Sequence, residues 1–415
     1  MTAEDSGSRR SGPLAGIKVV ELASWMFVPS AGTVLVDWGA DIVKVEHPVT
    51  GDPQRGLVTS GLLPGGDSGI NFMMEQPNRG KRSVAIDIAK PDGHEAFMRL
   101  IEGADVYLTN YLPQVRRKLR VDVDDVRARN PQVIVARGSG QGARGPDAEK
   151  GGYDAASFWA RGGVAAVMPT NAEGWPAGQP SAAFGDVMGG LATAGAIAAA
   201  LLQRERTGQT AIVDVSLLAT AMWQLSPMVV AARLFGLTRL PTGNRLKNPN
   251  PGVNTYRTAD DRFISLVLLQ ADRFWDDLAE RLERPELITD ERFSTGAARA
   301  QNSEACVAVL DEAFGSQPLE HWKQVLADFA GVWTPYQTLD ELYSDPQVIA
   351  NGYLPAMEAP DGQQVQLVAS PAQFDERPPE VSRAPEHGEH TEQVLLDAGF
   401  DWGAISAMKE SGAIL

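Results

Sequence analysis

Short runs of apolar, β-branched residues alternate with amphipathic segments through the first third of the chain. The apolar runs predict strands over residues 17–22, 40–46, 82–87, 105–109 and 133–137. The segments between them predict helices over residues 29–38, 91–103 and 122–130, and a loop over 56–70. Strands joined through helices pair in parallel by right-handed crossovers. The pattern therefore predicts an α/β fold whose ligands bind beyond the carboxyl ends of the strands.

The second half of the chain changes character twice. A long helix to Gly208, a strand over 210–214 and a helix over 216–234 continue the first pattern. Gly and Pro accumulate over 236–258, which indicates a linker. The elements predicted beyond it are an apolar run over 263–268, helices from Ala271, near 304–313 and near 319–329, and a final helix over 391–398. A smaller unit is therefore expected after the linker, with another change near residue 339.

Composition places the chain among soluble globular proteins. Its 415 residues are enough for two domains, and its composition, 43% hydrophobic and 22% charged, is ordinary for a globular protein. The net charge of −16 argues against a nucleic-acid partner. The single cysteine, Cys306, excludes a disulfide within the chain, and the five histidines show no H-E-x-x-H spacing. We therefore expect no metal site.

The beginning of the chain is polar, and we expect it not to be a secretory signal. Residues 1–12 are polar and lack an apolar core, so they predict a disordered tail rather than a secretory signal. We find no apolar window long enough for a membrane helix, because the Ala-rich run over 191–202 is too short. The expectation is a cytoplasmic protein with no membrane partner.

The strongest candidate for chemistry is Asp186. Small residues precede it, Gly189 and Gly190 follow it, and the Ala-rich run behind it predicts a buried helix. Its carboxylate would lie at the positive end of that helix, remain ionised at neutral pH, and be approachable across the glycines. The alternative is structural, because Asp before a helix is commonly an N-cap.

A glycine-rich run over residues 138–145 follows the last of the first strands. Gly140, Gly142 and Gly145 match G-x-G-x-x-G, but Pro146 follows at once and no acid lies near residue 165, which argues against a dinucleotide dehydrogenase. Ser139 is not a nucleophile elbow, because Arg137 occupies the first glycine position of that motif. We interpret the run as a loop whose N–H groups meet a ligand.

Two further segments carry candidate binding groups. The basic run over 116–120 either closes a helix or binds phosphate, and Asn110-Tyr111 at a strand end just before it favours binding. Farther along, Asp154 is most simply an N-cap. Its neighbour Tyr153 is either a core aromatic with a polar tip or part of the site.

The order of these segments resembles the family III CoA-transferases of the CaiB/BaiF type, a group that includes α-methylacyl-CoA racemase. The resemblance extends from about residue 13 to residue 395. It rests on the segments 13–22, 39–46, 78–84, 104–106, 110–111, 138–145, 185–186, 345–348 and 383–391. No one of these segments is unique, but their order and spacing together are specific.

The resemblance implies a fold and an assembly. A Rossmann-like large domain with a parallel sheet would come from both ends of the chain, and a smaller α+β domain from its middle. The implied boundaries are a tail over 1–12, the first part of the large domain over 13–235, the linker and small domain over 236–338, and a return to the large domain over 339–415. Two such chains would form an interlocked homodimer.

The resemblance also implies an activity and its residues. Asp186 matches the catalytic aspartate of an acyl-CoA:carboxylate CoA-transferase, whose substrates are an acyl-CoA donor and a carboxylic acid acceptor. The implied contacts to coenzyme A are Met26, Phe27, His47, Ile86, Asp87, Ala89, Asn110, Tyr111 and Lys118. For the supporting roles that such a transfer requires, our own candidates are Tyr153, which would order the pocket by a hydrogen bond, and the backbone at Gly140, Gly142 and Gly189, which would meet an oxyanion.

This sequence departs from the family pattern in places. Several relatives carry Arg where this chain has His47 and Lys118, and the glycine-rich loop of the small domain has no clear match, since Gly243 and Gly252 are scattered. Racemases carry Gly-His-Asp where this chain has Tyr153. A phenol of pKa about 10 is a poorer proton shuttle than an imidazole of about 6.5, so transfer is favoured over racemisation. A racemase or epimerase and a non-catalytic CoA-binding protein remain the alternatives.

The acyl group is only hinted at by the sequence. Trp159, Trp175 and Met188 lie near the right part of the chain and indicate an apolar acyl chain rather than a small, oxalate-like acid. The same residue types are also common in cores.

Overall fold

A computed structural model of the chain describes residues 11–61, 70–237, 244–359 and 362–415. Most of the predicted tail, residues 62–69 of the predicted loop, and Gly243 lie outside the described residues. The chain divides into two compact units. The larger comprises Met1–Leu240 and Pro346–Leu415, and the smaller comprises Pro241–Asp345.

The larger unit is built on a parallel sheet of six strands, as the sequence predicts. The strands are β1 (Lys18–Leu22), β2 (Asp41–Glu46), β3 (Arg82–Ala85), β4 (Val106–Thr109), β5 (Ile134–Ser139) and β6 (Ile212–Ser216). Their spatial order is 3-2-1-4-5-6, so the direction of winding reverses between β1 and β4. Such a reversal opens a crevice at the carboxyl ends of the two strands, where α/β proteins bind ligands.

Helices cover both faces of this sheet. Before the smaller unit they are α1 (Phe27–Asp37), α2 (Gly56–Thr59), α3 (Phe72–Asn78), α4 (Pro91–Glu102), α5 (Pro113–Leu119), α6 (Val123–Arg129), α7 (Val164–Val167), α8 (Asp186–Thr207), α9 (Leu217–Gln224) and α10 (Ser226–Phe235). Apolar side chains alternate along the strands, as in β1, where Val19 joins the core under α1 and α8 and Val20 joins the core under α4.

The close packing of α1 on α8 depends on glycine. A Cβ atom at Gly189 would lie 2.5 Å from the ring of Phe27, and one at Gly190 would lie 2.6 Å from Cβ of Ser30. Gly195, in the same helix, has open space where a Cβ would stand. The glycines after Asp186 therefore set the distance between two helices.

We expect Gly189→Ala to lower the free energy of unfolding by about 1–3 kcal/mol, because the added methyl forces the two helices apart. The matched control Gly195→Ala should leave stability unchanged or raise it by up to about 1 kcal/mol through helix propensity. Denaturant unfolding of both variants measures the difference. Equal stability of the two variants would contradict the packing role.

The smaller unit has its own core. Its antiparallel strands are β7 (Val253–Arg257), β8 (Phe263–Val267) and β9 (Trp333–Pro335), and its helices are α11 (Ala271–Arg281), α12 (Glu286–Thr289), α13 (Gly296–Gln301), α14 (Ser303–Gly315) and α15 (Leu319–Val325). Tyr256, Trp275 and Phe314 are buried at its centre. Strand β7 falls within the segment predicted as a linker, so that prediction is wrong for its last residues.

The chain then returns to the larger unit. Its last elements are α16 (Pro346–Ala350), β10 (Ala356–Glu358), β11 (Gln364–Gln366), α17 (Thr391–Asp397) and α18 (Trp402–Glu410). Both α17 and α18 pack on the face of the sheet that α4 covers. Near the end of the chain, Ile414 pairs with Ile86, and the amide of Asp87 donates to the carbonyl of Ala413.

Four predictions about helices are corrected in whole or in part. Part of the predicted loop is the short helix α2. The single helix predicted over 216–234 is two helices bent by 72°, because Pro227 starts α10. Among the described residues, α8 is long and apolar enough to cross a membrane, judged by length and composition alone. The bent pair α9 and α10, taken together, meets the same criterion. The expectation that no such segment exists is therefore wrong. The prediction that α8 is buried holds for one face only, where Ala194 and Ile197 enter the core.

Candidate active site

A pocket of about 380 Å³ lies in the larger unit, where strands β1, β4 and β5 end. Its described lining is Ser24, Trp25, Phe27, Pro53, Asn110, Tyr111, Leu112, Val115, Gly138, Ser139, Gly140, Gly151, Gly152, Tyr153, Asp186 and Leu217. The fold thus brings together Asp186, Tyr153, Gly140 and three of the expected CoA contacts, which come from separate parts of the chain.

Asp186 is the first residue of α8, and its side chain does not cap the helix. Among the described residues, its half-buried carboxylate has no hydrogen-bond or ion-pair partner. Burial raises the pKa of Asp186 to about 7, and the nearby charge of Asp154 adds to the rise. The N-cap alternative is therefore wrong, and so is the expectation of full ionisation at neutral pH.

The capping role belongs to Asp154. Both of its carboxylate oxygens accept the N–H of Gly185 at 3.1 Å, and one accepts the side-chain amide of Gln179 at 2.8 Å. Asp154 was expected to cap its own helix, but the π-helical segment Ala155–Ala160 that follows it has no side-chain cap. Because the distant carboxylate of Asp154 accepts a backbone N–H at the start of α8, the carboxylate of Asp186 is not needed as a cap and can meet a ligand.

Tyr153 is an exposed rim residue rather than a core aromatic. Its side chain is 65% exposed, and its ring meets the indole of Trp25 edge to face at 5.7 Å between centroids. Trp25 itself has a φ of +70°, which is unusual for a bulky residue. Its N–H donates to Oδ1 of Asp52 at 3.1 Å, which holds the backbone in this conformation.

Behind Asp52 lies a buried network of charges. Nζ of Lys44 is 2.8 Å from Oδ2 of Asp52 and 3.4 Å from Oε1 of Glu21, and Nζ of Lys81 is 2.8 Å from Oε2 of Glu21. Burial alone would lower the pKa of Lys44, but the surrounding carboxylates outweigh burial and raise it. Lys44 therefore stays protonated, whereas burial lowers the pKa of Lys81 to about 8. The contact between Lys44 and Asp52 anchors the loop that carries Trp25.

The backbone donors predicted for an oxyanion are largely engaged. The amide of Gly189 donates to the carbonyl of Gly185 at 2.9 Å within α8, so that assignment is corrected. The amide of Gly142 donates to Oγ of Ser139 at 3.1 Å, and Gly142 does not appear in the described lining. Gly140 lines the pocket and packs against Gly152.

The expected CoA contacts divide into two groups. Phe27, Asn110 and Tyr111 line the pocket. The side-chain amide of Asn110 donates to the carbonyl of Ser24 at 2.7 Å, and its oxygen accepts the N–H of Ser24 at 3.1 Å. The expected contacts outside the described lining are Met26, His47, Ile86, Asp87, Ala89 and Lys118. The side chain of Ile86 is buried in the core, and its contact with CoA stays a prediction.

The basic run over 116–120 does not form one patch. Arg116 is buried against Asp122, and Arg117 pairs with Glu149 at 3.0 Å. Lys118 is exposed and has no hydrogen-bond or ion-pair partner among the described residues. A phosphate site would therefore not use the whole run. Lys118 and Arg120, both exposed and without a side-chain partner among the described residues, are the cations left to it.

Sequence reasoning missed Trp25, Asp52 and the capping role of Asp154. The three residues that had hinted at the acyl group do not appear in the described lining: Trp159 is buried and donates to the carbonyl of Ala177, while Trp175 and Met188 are exposed. The sequence signal that could have identified Trp25 was a tryptophan shortly after the predicted buried strand over 17–22.

Known proteins identify the family. The family described as CoA-transferase family III matches residues 14–391. The chain is 31% identical over 404 residues to the (R)-2-hydroxy-4-methylpentanoate CoA-transferase of Clostridioides difficile, covering 97% of this chain and 99% of that protein. It is 32% identical over 402 residues to the succinate–glutarate CoA-transferase of Agrobacterium fabrum, covering 94% and 96%. The chain belongs to CoA-transferase family III.

Structures of CoA-transferase family III have the same fold. The crystal structure of a CAIB/BAIF family protein from Brucella suis matches with a TM-score of 0.79 at 29% identity, covering 94% of this chain and 100% of that one. The resemblance to the CaiB/BaiF type is thus confirmed, and the protein is a transferase whose substrate is a CoA thioester.

Proposed function

We propose that this CoA-transferase moves CoA from an acyl-CoA donor to a carboxylic acid acceptor through covalent intermediates on Asp186. The observation that carries the proposal is the half-buried carboxylate of Asp186, which has no partner within the part of the chain that the structure describes and lies on the wall of a pocket at the sheet's carboxyl edge. A carboxylate whose pKa is raised is a stronger nucleophile once ionised, and partial burial limits competing water.

The exchange proceeds in balanced steps. Asp186 attacks the thioester carbonyl of the donor, the carbon–sulfur bond breaks, and an aspartyl–acyl anhydride and CoA thiolate form. The thiolate then attacks the aspartyl carbonyl, which releases the donor acid and leaves an aspartyl-CoA thioester. The acceptor carboxylate attacks that thioester and releases the thiolate again. The thiolate finally attacks the acyl carbonyl of the new anhydride, which gives the new acyl-CoA and restores Asp186.

Other residues of the pocket would support these steps. Gly140 is the candidate backbone donor to the developing oxyanion, and the phenol of Tyr153 is placed to order the bound thioester. Phe27 and Tyr111 would contact the pantetheine arm. His47, Asp87 and Lys118 would lie along the adenosine end, where a lysine meets phosphate as a point charge.

Trapping the intermediate tests the proposal. The protein is incubated with a mixed set of acyl-CoAs, then with hydroxylamine or borohydride, and the peptide that carries Asp186 is examined by mass spectrometry. A hydroxamate or alcohol at Asp186 that depends on acyl-CoA is expected. An unmodified Asp186 together with deuterium incorporation at the α-carbon of the acyl group would instead support a racemase.

The ionisation of Asp186 predicts the pH profile of the reaction. With a pKa of about 7, kcat/KM should rise with pH and level off above that value, because only the carboxylate attacks. Asp154→Asn removes the like charge but keeps an oxygen that accepts the N–H of Gly185, so it should move this rise to lower pH. The check is kcat/KM from pH 5 to 9 for both proteins, and an unmoved rise would show that Asp154 does not tune Asp186.

We also propose that the enzyme forms a homodimer. Helices α9 and α10 expose large apolar side chains on one bent segment, among them Trp223 at 81% and Phe235 at 73% exposure, and α10 contains no buried residue. An apolar surface of this kind indicates a covered interface. Light scattering of the purified protein measures the oligomeric state.

A further inference from the structure

We infer that the pocket selects acyl groups that are apolar and uncharged, and that Trp25 is the residue that sets this selection. The inference rests on the proposed transfer chemistry at Asp186 and adds the class of substrate.

The described lining of the pocket offers a second carboxylate no cation, only neutral donors such as the hydroxyls of Tyr111 and Tyr153. Among the described residues of its lining, the only side chain with a formal charge is the carboxylate of Asp186. Since the thioester carbonyl must reach Asp186, the acyl group lies beside that carboxylate. An acyl group that carries its own carboxylate would therefore place two anions side by side in a half-buried site, with no cation between them.

The cations behind Asp52 are not available to such a substrate. The ammonium of Lys44 is fully buried and contacts Asp52, Glu21 and the carbonyl of Ala23. The ammonium of Lys81 likewise donates all its hydrogen bonds to Glu21, Asn78 and the carbonyl of Pro29. Drawing either cation toward the pocket would break these contacts and leave buried carboxylates unpaired.

The surface that remains for the acyl group is aromatic. The indole of Trp25 and the phenol ring of Tyr153 meet edge to face at an interplanar angle of 89° and both line the pocket. The backbone of Trp25 is held in the left-handed region by Asp52, and this conformation directs its indole to the pocket, against the ring of Tyr153. An aromatic wall beside the nucleophile favours an alkyl or aryl group over a hydrated anion.

The test compares two donors of the same length that differ only in the end group. Succinyl-CoA ends in a carboxylate, and 4-methylpentanoyl-CoA ends in an isopropyl group of similar shape. The measured quantity is kcat/KM for enzyme-dependent release of free CoA in the presence of hydroxylamine. Mass spectrometry of the protein then shows whether Asp186 is labelled. For the unaltered enzyme we expect kcat/KM for 4-methylpentanoyl-CoA to exceed that for succinyl-CoA by roughly 10²-fold or more.

Variants then assign the selection to Trp25. Trp25→Ala should lower the ratio of the two kcat/KM values by at least about tenfold, because the apolar donor loses its wall while the anionic donor loses little. The matched control Trp402→Ala removes a tryptophan that is 58% exposed and lies in a different surface depression, and it should leave the ratio unchanged. A loss of stability alone lowers both rates together and does not move the ratio.

The outcomes separate the inference from the function on which it rests. A kcat/KM for succinyl-CoA equal to or above that for 4-methylpentanoyl-CoA, with Asp186 labelled by either donor, overturns the selection and leaves the transfer chemistry intact. An unchanged ratio in Trp25→Ala overturns the role of Trp25. No release of CoA from any donor, together with an unlabelled Asp186, overturns both the proposed function and the inference.

Discussion

Replacing Asp186 by Asn should lower kcat/KM for CoA transfer by on the order of 10⁴-fold or more, because the amide cannot form the anhydride. The same variant should give no hydroxylamine-trapped peptide and should still bind CoA. Steady-state transfer and the trapping experiment measure the two effects. Activity within tenfold of the unaltered enzyme would exclude Asp186 as the nucleophile.

The same substitution has a second expected effect, on stability, which shows whether the variant is folded. The pKa of Asp186 is about 7 in the folded protein, against about 3.9 for an unperturbed aspartate, so the folded state binds the proton more tightly. As the pH rises from about 4 to 7, the unaltered protein loses stability that Asp186→Asn retains, and above pH 7 the difference stays constant. We expect a difference of roughly 1–3 kcal/mol after allowing for solvent screening of the half-exposed group. Thermal unfolding at pH 5 and pH 8 measures it.

Breaking the buried network should produce the largest loss of stability. Lys44→Met leaves Asp52 and Glu21 with an uncompensated buried charge, and we expect the free energy of unfolding to fall by about 3–5 kcal/mol. Lys150→Met is the matched control, because the Lys150 side chain is 72% exposed and its ion pair with Asp147 contributes at most about 1 kcal/mol.

A double variant distinguishes charge from packing in that network. If unpaired charge causes the loss in Lys44→Met, adding Glu21→Gln should recover part of it, because the remaining buried charges again balance more closely. Further loss in the double variant would mean that the shape of the Lys44 side chain matters more than its charge. Denaturant unfolding of the three proteins decides between the two.

The sheet could be predicted from the sequence because its strands are short apolar runs between clear helices. Strands β1 to β5 all fall within one or two residues of their predicted positions, since burial on both faces imposes a continuous apolar pattern. Strand β7 and the bend at Leu225 could not be predicted, because Gly and Pro near them indicate a break in secondary structure but not which element lies on either side of it. Asp186 was identified through its setting, and the family supplied its role.

The rest of the site depends on contacts between distant residues. Asp154 accepts the N–H of Gly185, 31 residues later and just before α8, and Asp52 holds Trp25 across 27 residues. Neither contact leaves a periodic pattern, so local sequence reasoning assigned Asp154 to the nearest helix. The raised pKa of Asp186 follows from the same distant packing, which is why a helix-terminus argument alone predicted the opposite ionisation.

The pairing of Ile414 with Ile86 has a consequence for how the protein is made. One face of the sheet is closed by α17, α18 and the residues after them, with Ala413 and Ile414 buried against strands formed from the first hundred residues. During synthesis, the ribosome must therefore deliver the smaller unit before the larger one can finish folding, and until then that face presents its apolar surface to chaperones and to other nascent chains.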